Sequence, residues 1–183
     1  MKEDIKLLSI QFPNQAKAIP ETIRTCLEVI EKALPPHPGN LLSRMKWVLA
    51  ELLTNATKHS GKAESYVGIY KKDNWIIIEK MDSGKTLTFD SSVISWPPLN
   101  NQIGHTYEIY HNGMDVLKLQ IQQKNQALFY VEEAPETYMP KLLCETSEHF
   151  GLLIITKSCD EFTYEFEEDI HLNIFTCAFN LSD

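Results

Sequence analysis

The stretch AELLTNATKHS, residues 50–60, decides how this chain is read. At about 3.6 residues per turn, Glu51, Asn55, Lys58 and His59 stand at i, i+4, i+7 and i+8 and share one helix face. Met45, Leu49, Leu52, Leu53 and Ala56 form the adjoining apolar stripe. A solvated face tends to repeat charge pairs, whereas a neutral amide between an acid and a base suits the wall of a pocket. Simpler roles stand beside that one. Glu51 could pair with Arg44 or Lys58 across the helix face, for about 0.2–0.5 kcal/mol. His59 could serve only the helix dipole, and Asn55 could be a surface amide.

Working outward, this helix is expected over 41–58, after a loop at "PPHPGN" (35–40). An earlier helix is expected over 19–34, with Pro20 at its start and Ile23, Leu27, Ile30 and Leu34 at helical spacing. "IKLLSIQFP" (5–13) reads as an edge strand ending at Pro13. Beyond the helix, "ESYVGIYKK" and "NWIIIEK" flank Asp73-Asn74 as a hairpin, followed at once by "MDSGK" (81–85). In that segment Asp82 and Gly84 form a turn at a strand end. Three further strands make a meander: "HTYEIY", "DVLKLQIQQ" and "ALFYVEE", joined at Asn112-Gly113 and Lys124-Asn125. Within it Leu117, Leu119 and Ile121 point one way, and Lys118, Gln120 and Gln122 the other. "HFGLLIITKSCDEFTYEFEE" offers a glycine, an apolar helix and a strand from about Phe162, and "IHLNIFTCAFNL" (170–181) is a closing strand.

Composition narrows the function classes. With 183 residues, 43% hydrophobic and 23% charged, the chain suits one globular domain. A net charge of -8 and the lack of any Lys/Arg run argue against nucleic acid and anionic membrane surfaces as partners. No segment approaches the roughly 20 apolar residues of a membrane span, and the opening residues do not read as a secretory signal. The four cysteines lack a CxxC pair and the six histidines are scattered. A zinc site or disulfide framework is therefore not expected, and reduced thiols in a cytoplasmic protein are.

A helix bearing E-x-x-x-N-x-x-K-H, a hairpin ending in D-x-G, then a G-L-x-I-I helix start resembles, in that order, the GHKL (histidine-kinase-like) ATPase superfamily. The short layout is most similar to the bacterial anti-sigma-factor serine kinases. The match covers roughly residues 5–84 and 149–181. The resemblance implies an α/β sandwich of the Bergerat type, with a mixed, largely antiparallel sheet covered by helices on one face. Residues 1–183 would be one such domain, with 85–148 as an insertion or lid carrying the meander. The implied cofactors are ATP and Mg²⁺.

The implied site runs residue by residue. Asn55 resembles the asparagine whose oxygen ligates Mg²⁺, an ion that takes oxygen ligands together with substrate phosphates. Glu51 resembles the general base. Lys58 suits phosphate oxygens, and His59 would donate a hydrogen bond nearby. Asp82 resembles the acid that accepts from the adenine amino group, with Gly84 beside the base. Gly151 and Leu152 resemble the second glycine box at a helix start. The implied partner is a regulatory protein, sigma-factor-like or anti-anti-sigma-like, and homodimerisation stays open. Two positions depart from the pattern: His149 and Thr86 stand where glycines are usual. They leave two expectations: an ATP-dependent serine/threonine kinase or weak ATPase, or a catalytically silent interaction module that keeps the fold.

Overall fold

The computed structural model describes residues 5–35, 39–89, 96, 98, 100–135 and 149–182. Among the described residues the fold is α+β: three α-helices packed on one eight-stranded sheet. In chain order the elements are β1 (Ile5–Phe12), α1 (Ile19–Ala33), α2 (Leu41–His59), β2 (Ser65–Lys72) and β3 (Trp75–Asp82). Then come β4 (Thr106–His111), β5 (Asp115–Gln123), β6 (Gln126–Glu133), α3 (Phe150–Ser158), β7 (Glu161–Glu167) and β8 (Leu172–Asn180).

The helices form where the apolar period predicts. In α2, Leu41, Met45, Val48, Leu49, Leu52, Leu53 and Ala56 are all buried, the i, i+4, i+7, i+8 stripe of a helix with one face in a core. Lys58 and His59 occupy its last turn, where cations complement the exposed carbonyls. Gly61 follows at φ +64°, the left-handed geometry that lets the chain leave a helix end. In α1, Pro20 and Glu21 sit in the first turn, while Thr22, Cys26 and Ile30 are buried. Leu34 is extended, as the residue before Pro35 should be.

The strand order is β1-β2-β3-β8-β7-β6-β5-β4. Every pairing among the described strands is antiparallel, so the expected "mixed" element is not seen there. β1 is an edge strand, as Pro13 suggests. The hairpin turns fall at Asp73-Asn74, with Asp73 at φ 48°, and at Asn112-Gly113. There the Asn112 Oδ1 accepts from the amides of Met114 at 2.9 Å and Asp115 at 2.7 Å.

The meander forms as expected, with Leu117, Leu119 and Ile121 fully buried. Its placement adds something that local spacing does not show. β6 pairs with β7, Phe129 opposite Phe162, so the meander extends the main sheet. The rings of Phe129 and Phe162 stack at 4.5 Å across that seam. Lys157 of α3 reaches the Asp115 carboxylate at 2.8 Å and ties the helix to β5. Much of the expected lid, residues 90–95, 97, 99 and 136–148, lies outside the described residues.

One continuous core joins the helices to the sheet, from Phe12 and Ile30 through α2 to Phe162, Tyr164 and Phe179. No helix among the described residues is long and apolar enough to cross a membrane.

Candidate functional site

Where α2 ends, β3 ends and α3 begins, the layers part around a cavity of about 340 Å³. From α2 come Leu52, Asn55, Lys58 and His59; from β3, Lys80 and Asp82. The segment 85–88 closes one side, and Ser60, His149, Leu152, Ile155 and Phe175 complete the lining. Three lysines, Lys58, Lys80 and Lys85, face one carboxylate, so the charge balance of the lining favours an anionic ligand. The volume lies within the range of small-molecule sites.

The floor is a hydrogen-bonded network. Period-two alternation places Ile76, Ile78, Lys80 and Asp82 on the inward face of β3, all buried. Asp82 pairs with the Lys80 ammonium through Oδ2. Its Oδ1 accepts from the Gly84 amide at 2.7 Å and from Asn173 Nδ2 at 3.2 Å. Asn173 stands opposite Asp82 across β3 and β8, and also donates to the Gly84 carbonyl at 3.2 Å. Its own oxygen accepts from the Tyr164 hydroxyl at 2.7 Å, and that hydroxyl accepts from the Leu87 amide at 3.2 Å. The network thus clamps residues 82–87 along the cavity. Burial pushes the Lys80 ammonium down from its ordinary pKa, against the opposing pull of Asp82. Burial also raises the Tyr164 phenol, which stays a neutral donor.

The rim is different. Lys58 and His59 are exposed at the end of α2. Glu51 lies one turn below Asn55 and does not line the cavity. Its Oε2 would lie 2.7 Å from a Cβ built on Gly151, and the Asn55 amide 3.5 Å from the same point. Both side chains therefore meet the first turn of α3, where a side chain larger than hydrogen would displace the Glu51 carboxylate. Partial burial raises the Glu51 carboxyl, with Lys58 pulling the other way.

Of the residues singled out from the sequence, Asn55, Lys58, His59, Asp82 and Leu152 converge on the cavity. Glu51, Gly84 and Gly151 are not among the lining residues. Gly84 is buried because α2 comes close: a Cβ there would lie 2.1 Å from the Ser60 carbonyl oxygen. Lys80, Asn173 and Tyr164 were missed. The alternation in "WIIIEKMD" and "LNIFTCAFN" carried the signal, since it puts Lys80 and Asn173 on inward faces among apolar residues. A polar residue at such a position needs a partner.

Asn55 lines the cavity, and its amide and the Glu51 carboxylate both lie near Gly151 at the start of α3; their oxygens are of the kind Mg²⁺ takes together with phosphate and water. No cluster of three or more His, Cys, Asp or Glu able to hold a metal occurs among the described residues. Comparison with models of protein families finds no match, and comparison with curated proteins finds none either.

Proposed function

We propose that this chain is an ATP- and Mg²⁺-binding domain of the GHKL type that regulates a partner protein, with phosphorylation of a serine or threonine as its activity. One observation carries the reading. Residues from α2, the end of β3 and the start of α3, far apart in the chain, enclose a single lysine-rich cavity in the order the family pattern implies. Leu52, Leu152, Ile155 and Phe175 would hold the base, and Lys58 and Lys85 the phosphates. Asn55 would hold Mg²⁺, which neutralises phosphate charge when bound. The partner is expected to be a sigma-factor-like or anti-anti-sigma-like regulator, on the resemblance alone.

A second reading, a catalytically silent interaction module, draws on two observations. Glu51 is not among the residues that line the cavity, and His149 packs its ring 5.5 Å from Phe89 where the pattern expects glycine. Thermal melts with ATP, ADP and GTP, each with and without Mg²⁺, test ligand binding, because a ligand of the folded state alone raises the melting temperature. A rise with MgATP supports the site, and no rise at millimolar nucleotide removes it. Phosphate release or transfer from labelled ATP then separates the two readings. Turnover that Glu51→Gln lowers by about 10²–10⁴-fold favours the kinase; binding without turnover favours the module.

A further inference from the structure

We infer that Lys80 is a specificity-determining residue of the cavity, donating a hydrogen bond to an acceptor atom on the ligand's ring while its counter-ion Asp82 accepts from the neighbouring amino group. For the adenine nucleotide on whose reading this rests, the acceptor is ring nitrogen N1 and the donor is the 6-amino group. Together the lysine and the aspartate would read both atoms of one base edge.

The argument starts from satisfaction of donors. An ammonium carries three N–H donors. Lys80 is 4% exposed, and its one hydrogen-bonding partner among the described residues is Asp82. Its charge also lies 4.4 Å from the centre of the Phe175 ring, a favourable contact that consumes no donor. Because Lys80 lines the cavity, an N–H without a protein acceptor among the described residues is available to a ligand there. A buried donor in that state is costly, so a ligand that supplies the acceptor gains a charge-assisted hydrogen bond.

Asp82 has less to offer. Oδ1 already accepts from Gly84 and Asn173, and Oδ2 from Lys80. Only a remaining lone pair on Oδ2, beside the ammonium, is open to a ligand donor. The floor consequently presents a donor and an acceptor side by side. An isolated carboxylate would present the acceptor alone. Phe175, whose ring lies by the ammonium, and Leu152 both line the cavity and provide apolar surface for a flat ring.

The test compares ATP with 1-deaza-ATP, which keeps the amino group and replaces the ring nitrogen by C–H. Calorimetric titration of the wild-type protein in Mg²⁺ should show the deaza analogue binding about 10- to 100-fold more weakly, the span for losing a hydrogen bond to a charged group. In Lys80→Met, ATP should weaken to the same level and the difference between the nucleotides should vanish. Equal binding of both nucleotides by the wild type overturns the inference with no substitution needed, and leaves the nucleotide site itself intact. Lys80→Met binding ATP as tightly as, or more tightly than, the wild type would also overturn it, since Lys80 would then only compete for Asp82. A wild-type protein that binds neither nucleotide removes the ATP reading, and this inference falls with it.

Discussion

The floor and the rim of the cavity are built on opposite principles. At the floor, Lys80, Asp82, Asn173 and Tyr164 are buried and each holds at least one of the others. At the rim, Lys58 and His59 are exposed side chains on a helix end. Buried polar groups are expensive to leave unpaired, so on the proposed reading the floor would couple ligand recognition to the stability of the fold. Exposed charges are screened and cheap to change, so on the same reading the rim would adjust ligand affinity with little effect on folding.

The sharpest way to break that contrast is Asp82→Ala. It strips a buried ammonium of its counter-charge and should destabilise the fold by about 3–5 kcal/mol. Urea denaturation would show the midpoint falling at unchanged slope. A loss below 1 kcal/mol would mean that the floor is wetter than its burial indicates. Asn173→Ala comes next. Removing the amide that joins Tyr164 to Asp82 and Gly84 leaves several buried groups without partners, for about 2–3 kcal/mol by the same measurement. At the rim, Lys58→Ala should shift stability by under about 0.5 kcal/mol, yet weaken MgATP binding measurably by calorimetry. If it unfolds the protein instead, the rim is structural.

Glu51 lies between the two regimes and should give the smallest effect. Its folded pKa is raised by burial, so the folded state holds its proton more tightly than the unfolded state does. The stability it contributes is full below the ordinary carboxylate range and is lost as pH rises through the folded value. Glu51→Gln should abolish that loss, making the variant slightly more stable than wild type near neutral pH relative to its standing in acid. Thermal melts between about pH 4 and pH 7 would show the two curves diverging as pH rises. Parallel curves would place Glu51 in solvent.

The same contrast explains what could be read in advance. α2 and the hairpins were legible because their signals are local: a stripe at 3.6-residue period, Asn112-Gly113, Asp73-Asn74. The rim residues sit on that helix, and so they were legible too. Asp82 was found through its turn, but its partners were not. Asn173 lies 91 positions away and meets Asp82 only through the β3–β8 register, which no local pattern encodes. Lys80 was passed over although it is two residues from Asp82, because an inward lysine is expected only where a counter-charge is known to be waiting. The joining of β6 to β7 was likewise hidden. Hairpin signals fix neighbours in sequence, while β6 and β7 pair although α3 lies between them in the chain.

Hydrogen exchange with and without MgATP tests the central claim most directly, because it locates the ligand as well as detecting it. If the nucleotide fills the cavity, exchange should slow at the end of α2 around residues 55–60, in segment 85–88 and in the first turns of α3. The meander, β4 to β6, should stay unchanged, since none of its residues lines the cavity. Protection confined to those three segments is the predicted result. Unchanged exchange throughout, or protection that falls in the meander and spares residues 55–60 and 85–88, would contradict it.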